Sequence, residues 1–259
     1  MEESKSLSNL TRLEDILRFI DLSQRVTVNS ICSRFQISMA TARRDLETLS
    51  SEGRIQRVRG GATSLHKAPP ELSVYLRMND EANAKKRIGL ATAKLINNGE
   101  TVFLGSGTTV LEVARSLLNL ENLTVITNSI LVLNQLIEKP SITVVALGGI
   151  LRRSELSLIG HIAEQSIEDL NADKVIIGIH GIDPVQGLTN HYLPETMTDR
   201  KILKMGKQVI IVADHSKCPR ISIAHVAPIK AINTLVTDTE TSDDFVQGLT
   251  ELGVQVLRV

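Results

Sequence analysis

Seven short runs rich in Val, Ile and Leu punctuate the chain beyond residue 100: TVFLG (101–105), LTVIT (123–127), ITVVALGG (142–149), KVIIGIHGI (174–182), QVIIVAD (208–214), TLVTD (234–238) and VQVLRV (254–259). No other feature constrains the fold as much. A strand that is apolar at consecutive positions is buried on both faces, the normal condition of strands in a parallel sheet. Segments of helical period lie around 83–97, 109–118, 129–137, 161–170, 195–205 and 243–252, and they can cover both faces. The expected architecture is an α/β main domain, a mostly parallel sheet with helices on both faces. At 259 residues the chain has room for that core and for a second, smaller one.

The first sixty residues have a different texture and predict three short helices and a hairpin. Thr11 and Glu14 are spaced as a capping box, and Leu13, Ile16, Leu17 and Ile20 follow on one face. Val28, Ile31, Cys32 and Phe35 repeat that spacing for a second helix. Ser38 is placed to cap a third, Ile37 and Ala42 to staple its start, and Gly53 to end it. On this third helix Ala42, Leu46 and Leu49 share one face, while Thr41, Arg44 and Thr48 share the opposite one. RIQRVRGG then reads as a β-wing, rich in β-branched and basic residues and closed by two glycines. Two short helices joined by a short turn, the second opening on polar residues, form the pattern of a helix-turn-helix.

Lys plus Arg and Asp plus Glu both number 29, so a nucleic acid would have to be met by a local patch. Residues 34–67 supply one, with seven Lys/Arg against three Asp/Glu, a net of +4. The candidates for double-stranded DNA are Ser38, Thr41, Arg43, Arg44 and Thr48 on the helix and Arg54, Arg57 and Arg59 in the wing. Such short polar groups and arginines reach phosphates and base edges. Asp45 would repel phosphate and is expected to orient an arginine instead. A solvated basic face or a protein-binding winged helix would use the same charges, but spacing, turn, cap and wing together favour DNA. An aromatic content of 2% argues against single strands, which bind by base stacking.

In the larger region, GSGTT (105–109) lies between a strand and a helix. Backbone amides at a helix start, approached closely at glycine, bind anions, and the hydroxyls of Ser106, Thr108 and Thr109 add donors. The loop lacks the lysine of a Walker motif and the third glycine of a dinucleotide fingerprint. Other strand-end loops carry Asn128, Gly148 and Gly149 with Arg152 and Arg153, and Asp214-His215-Ser216-Lys217. In open α/β sheets such loops converge on the ligand crevice. Hydroxyls, glycine amides, an arginine and a lysine favour a small phosphorylated polyol.

Both regions resemble one family. VTVNSICSRFQISMATARRDLETLSSEGRIQRVRGGAT is similar to the amino-terminal winged helix of the DeoR family of bacterial transcriptional regulators, with Ile37, Ser38, Thr41, Arg43, Arg44, Asp45, Leu46, Leu49, Gly53, Arg57, Gly60, Gly61 and Ala62 at matching places. GSGTT, TNS, GGILR, GLTNHYLPE and ADHSK resemble the runs of that family's sensor domain, whose fold is related to ribose-5-phosphate isomerase. The resemblance implies a winged helix-turn-helix domain over 1–63, a linker over 64–80 containing Pro69-Pro70, and a sugar-phosphate-sensing effector domain over 81–259. It implies a repressor of a carbohydrate uptake or catabolic operon, modulated by a phosphorylated sugar. Carried over residue by residue, the effector contacts are Ser106, Gly107, Thr108, Thr109, Asn128, Gly148, Gly149, Arg152, Glu195 and Lys217. Gly105 stands where the family usually has an aspartate.

The alternative is a retained isomerase, with Glu195 as carboxylate base and Lys217 on the developing oxyanion. Binding roles for both are favoured, so no catalytic residue is expected, nor any cofactor. Asp214-His215-Ser216 holds triad residue types, but sequence neighbours rarely face one another as a triad must. His180 and His191 lack metal-ligand spacing, so no metal site is expected. Cys32 is expected in the core, and Cys218 as an inert thiol. MEESKSLSNL is not a signal sequence and no apolar run approaches a membrane span, so a cytoplasmic protein is expected. One winged helix reads few base pairs, so a homo-oligomer, dimer or tetramer, is expected on repeated half-sites.

Overall fold

A narrow apolar stripe on each of three short helices organises the first part of the chain. The computed structural model describes residues 12–17, 19–21, 25–65, 74–117 and 120–259, and these fall in two compact units, Met1–Leu72 and Ser73–Val259. In the smaller unit α1 (residues 12–17 and 19–21), β1 (Arg25–Thr27), α2 (Val28–Phe35), α3 (Met39–Ser51), β2 (Ile55–Val58) and β3 (Gly61–Ser64) enclose one core. Its fully buried members include Ile16, Ile20, Ile31, Ala42, Leu46 and Leu49, as the periodicity predicts. Thr11 and its expected capping box lie outside the described residues. The three strands pair antiparallel in the order β1-β3-β2. The glycine pair that closes the wing is required twice over. Gly60 has φ +80°, and a Cβ on Gly61 would stand 1.9 Å from the Val26 carbonyl oxygen of β1.

The larger unit opens with α4 (Val74–Arg77) and α5 (Ala82–Ala93). There follow β4 (Thr101–Leu104), α6 (Thr108–Ser116), β5 (Leu123–Thr127), α7 (Ile130–Leu136) and β6 (Ile142–Ala146). A hairpin of β7 (Ile150–Arg152) and β8 (Ser157–Ile159) leads to α8 (His161–Glu168) and β9 (Ala172–Gly178). Then come β10 (Gly181–Asp183), β11 (Gly187–Asn190), α9 (Leu193–Met205), β12 (Gly206–Val212), β13 (Ala224–Ala227), β14 (Thr234–Thr237), α10 (Asp243–Glu251) and β15 (Gln255–Arg258). The main sheet has seven strands in the order β15-β14-β12-β9-β4-β5-β6, every neighbouring pair parallel.

Alternate residues of the apolar runs feed two cores. Val102, Leu104, Ile176, Ile210 and Val212 pack on one side with Ile88 of α5 and Val110 and Val113 of α6. Phe103, Val175, Ile177, Val209 and Ile211 pack on the other with Ile167, Ile202, Phe245 and Leu249 of α8, α9 and α10. Two expected strands end three or more residues before their sequence runs do. The 174–182 run breaks after Gly178, and Gly181–Asp183 joins β11 and β13 in a separate antiparallel sheet. The 142–149 run ends at Ala146, where the chain turns into the β7–β8 hairpin.

The strand order locates the ligand crevice. From β4 the chain winds outward through β5 to β6, then returns to β9 on the other flank of β4 and winds the opposite way. The connections that leave the carboxyl ends of β4 and β9 therefore diverge and open a cleft between them.

Candidate nucleic-acid interface and ligand cavity

On α2 the Thr27 hydroxyl accepts from the Ser30 amide and the Ser30 hydroxyl accepts from Thr27, each at 3.1 Å, a reciprocal cap. Gln36 ends that helix in the left-handed region at φ 50°, and Ser38 caps α3 by accepting from the Thr41 amide at 3.1 Å. The inner face of α3 is the buried Ala42, Leu46 and Leu49; Arg43, Arg44 and Glu47 are exposed, flanked by half-buried Thr41 and Thr48. The Thr41 hydroxyl contacts that of Ser38 at 2.9 Å, and Thr48 donates to the Arg44 carbonyl at 3.1 Å. Arg57, exposed on β2, donates to the Arg43 carbonyl at 3.4 Å and so ties the hairpin to α3. Arg59 is exposed in the hairpin turn.

Two residues of this face serve the scaffold. Asp45 is buried and accepts two bonds from Arg12, at 2.8 and 3.1 Å, which fasten α3 to α1. The partner expected for Asp45 is thus an arginine of another helix, with Arg43 and Arg44 left facing outward. Arg54, expected to grip DNA in the wing, lies just before β2 and donates to both oxygens of Glu14 at 2.7 and 2.8 Å and to Glu52 at 3.4 Å. Its guanidinium is bonded within the unit, whereas Arg57 and Arg59 are exposed.

At the divergence of β4 and β9 lies a cavity of about 330 Å³. Ser106, Gly107, Thr108, Thr109, Asn128, Glu195 and Lys217, all expected from sequence, line it. Gly107 starts α6 at φ +110° with no side chain capping the helix, so the first-turn amides are presented at the cavity. Thr127 donates to the Leu104 carbonyl at 2.7 Å and accepts from the Ser129 amide, fixing the end of β5 beside β4. Asn128 is held there by donating to the Leu158 carbonyl at 3.1 Å, while its Oδ1, also buried, has no partner. Asp214 caps the following 3₁₀ turn through the Ser216 amide, and Lys217 Nζ reaches the Ser216 hydroxyl at 2.8 Å.

Gly148, Gly149 and Arg152, expected as effector contacts, lie outside the cavity lining. A Cβ on Gly149 would stand 2.8 Å from the Ile159 carbonyl oxygen, and one on Gly148 would meet Ile162 at 3.5 Å; the pair packs the β7–β8 hairpin. Arg152 is buried, ion-paired to Glu195, with its guanidinium 4.5 Å from the Tyr192 ring centre. Glu195 also accepts from Ser157 at 2.9 Å, so both its oxygens are occupied by protein donors. Gly105 has a steric reason, because its Cβ would lie 2.9 Å from Ile177 Cγ2. Ile177 stands beside the place where an aspartate side chain would start.

Among the lining residues that were not legible as site residues are Arg77, Lys85, Glu155, Asn190 and Asp199. Arg77 pairs with the buried Glu155. Lys85, on the inner face of α5, donates to the carbonyls of Arg77, at 2.6 Å, and Asp80. Burial pushes the Lys85 ammonium below the usual lysine range, against the pull of Asp214. Asn190 accepts from the His180 ring at 3.0 Å and donates to Asp199. Burial drives the Asp199 carboxyl up to about 7 despite that bond. His180, expected in core or surface, sits in the cavity wall with its ring 4.7 Å from that of His191.

His215 turns from Ser216 to Asp238, with Nδ1 at 2.8 Å from the carboxylate, so Asp214-His215-Ser216 has no triad geometry. Among the described residues His215, Asp238 and Glu240 bring three potential ligand atoms within 4.8 Å of one another. Asp238 already accepts from both the His215 ring and its amide, which accounts for the cluster as an ion pair. Cys32 is only half-buried against the helical core; Cys218 is buried, and burial raises its thiol far above the ordinary range. No helix among the described residues is long and apolar enough to cross a membrane.

A family model described as a DeoR-like helix-turn-helix domain matches residues 12–68, and one described as the DeoR C terminal sensor domain matches residues 80–239. Among curated proteins, the chain is 36% identical to the HTH-type transcriptional repressor GlcR of Bacillus subtilis, over 95% of each chain. It is 32% identical to the glycerol-3-phosphate regulon repressor of Escherichia coli, over 95% of this chain and 97% of that one. Among solved structures, a ribose 5-phosphate isomerase A from Methanocaldococcus jannaschii aligns at 15% identity over 56% of each chain, with a TM-score of 0.39.

Proposed function

Because the chain belongs to the DeoR family of transcriptional regulators, we propose that it represses a carbohydrate uptake or catabolic operon and releases operator DNA when a phosphorylated sugar binds. The carrying observation is the division of α3 into a buried apolar face and an exposed one bearing Arg43 and Arg44, with Arg57 and Arg59 beside it. A helix held this way can enter the major groove while the hairpin follows the neighbouring backbone. In this reading residues 1–63 read DNA, 64–80 connect, and 81–259 sense the effector. The partner chromosome sets the location as the bacterial cytoplasm. A dimer or tetramer would supply the second half-site contact.

Ser106, Thr108, Thr109 and the α6 amides would hold the phosphate, joined by Lys217. Glu195 supports the regulator over the isomerase, because its ion pair with Arg152 and its bond from Ser157 commit the carboxylate to holding the cavity wall. The cavity also reaches the connector. Val74 is fully buried and its amide donates to the Ser154 carbonyl at 2.7 Å, while Arg77 of the same short helix pairs with Glu155. A ligand that competes for Arg77, Glu155 or Lys85 would therefore act on the first turns after the connector. A coupling of about 1–3 kcal/mol suffices for a switch.

The test selects tight-binding duplexes from a random library and compares Arg44→Ala with Arg57→Ala on the selected site and on random DNA. Arg44→Ala is expected to lower specific binding most, and Arg57→Ala to lower both and reduce the salt slope by about 1. Equal losses on both DNAs from both variants would reject these roles.

A further inference from the structure

The charge of the cavity does not match a simple dianion. Six carboxylates face it, those of Asp80, Glu81, Glu155, Glu195, Asp199 and Asp214, against the cations Arg77, Lys85 and Lys217. Most of these carboxylates are accounted for. Arg77 neutralises Glu155, Arg152 neutralises Glu195, Asp214 caps its turn, and Asp80 and Glu81 are exposed to water. Asp199 is different. It accepts one bond, from the neutral amide of Asn190, and forms no ion pair among the described residues. Asn128 adds a second acceptor, since its Oδ1 is buried, faces no donor and belongs to a residue 2% exposed on the cavity wall. One end of the cavity thus presents amide donors and Lys217, and the rest presents acceptors, including Asp199, which has no cationic partner in an ion pair among the described residues.

We propose that the ligand is a phosphate ester that also carries an ammonium group, a phosphorylated amino sugar, with its cation against Asp199 and a donor on Asn128 Oδ1. This deepens the sugar-phosphate reading and rests on it. An ammonium supplies three donors and a charge that favours the ionised Asp199 carboxylate, whereas a hydroxyl supplies one donor and no charge. Such a cation would also oppose the upward push that burial gives the Asp199 carboxyl and draw it down from about 7. The zwitterion meets both ends of the cavity at once, where an uncharged polyol phosphate brings further negative charge into a site already rich in it.

The experiment titrates the full-length protein with matched pairs: glucosamine 6-phosphate with glucose 6-phosphate, and galactosamine 6-phosphate with galactose 6-phosphate. Affinity is read by calorimetry. In at least one pair the amino sugar is expected to bind about tenfold tighter or more, the worth of a charge-assisted hydrogen bond. In Asp199→Asn that ratio is expected to fall towards one. Because the ratio is taken within one protein sample, it does not depend on how much of the variant folds. Equal affinity within both pairs of the wild-type protein overturns the amino-sugar inference and leaves the sugar-phosphate reading standing. A ratio that survives Asp199→Asn overturns the assignment to Asp199. Failure of all four esters to bind overturns the underlying reading as well.

Discussion

Glu195→Ala separates a residue that holds the cavity together from one that merely touches a ligand. Arg152 and Glu195 are an ion pair in which each side chain is 5% exposed, with Ser157 donating to the other Glu195 oxygen at 2.9 Å. Removing the carboxylate leaves a buried guanidinium without its counter-charge, a change that costs about 3–5 kcal/mol when a buried pair is broken from one side. For a unit the size of Ser73–Val259 this corresponds to a fall in Tm of roughly 6–20 °C. Arg152→Met/Glu195→Leu removes both charges and is expected to recover most of the loss, short of about 1 kcal/mol for the stranded Ser157 hydroxyl. Urea unfolding of the four members of the cycle, extrapolated linearly, measures the coupling directly. Were Glu195→Ala to unfold within about 1 kcal/mol of wild type, the pair would not anchor the wall and Glu195 would be free to act on a ligand.

Three further perturbations follow from the same geometry. Gly105→Asp drives a Cβ to within 2.9 Å of Ile177 and is expected to destabilise the unit by about 1–3 kcal/mol, with Ile177→Ala in the same chain relieving part of the cost; no rescue would refute the contact. Asp45→Ala breaks the bidentate link to Arg12 and is expected to destabilise the smaller unit by about 1.5–3 kcal/mol by thermal unfolding, and no change would show α3 to be held otherwise. Burial lowers the His215 pKa, but the bond and charge of Asp238 outweigh it and the net shift is upward. The stability this pair contributes is therefore complete below an ordinary imidazole pKa of about 6.5 and is lost as pH rises through the raised value. Asp238→Asn should flatten that limb of the Tm profile, and an unchanged profile would refute the assignment.

How much of this was legible in sequence follows from chemistry at short range. The continuous Val/Ile runs identified the main-sheet strands because burial on both faces leaves no other composition. Residues 142–149 and 174–182 were read too long, since apolar character continues past Ala146 and Gly178 while the hydrogen-bond partner changes. The hairpin of β7 and β8 and the sheet of β10, β11 and β13 use strands of three or four residues, too short to show a period. Ser38, Gly53 and Gly60 were readable because caps and turns are local. Ser106–Thr109 and Lys217 were readable because strand-end loops gather at the crevice. Arg77, Lys85, Glu155, Asn190 and Asp199 come from five separate places in the chain, and only the winding of β4 against β9 brings them together. The Glu14–Arg54 and Arg12–Asp45 pairs are likewise long-range, so the sequence could not show which arginines are paired within the unit.

Operator release is the most direct measure of the central claim. A fluorescently labelled duplex carrying the selected site is saturated with protein, and the four sugar phosphates are titrated into the complex while anisotropy is followed. At least one ester that stabilises the free protein should lower its affinity for the duplex by about 5–150-fold, and the duplex should weaken that ester's binding by the same factor. If every ester that binds the protein leaves the complex untouched, the cavity and the DNA-reading helix are not coupled, and the account of a sugar-phosphate switch is wrong.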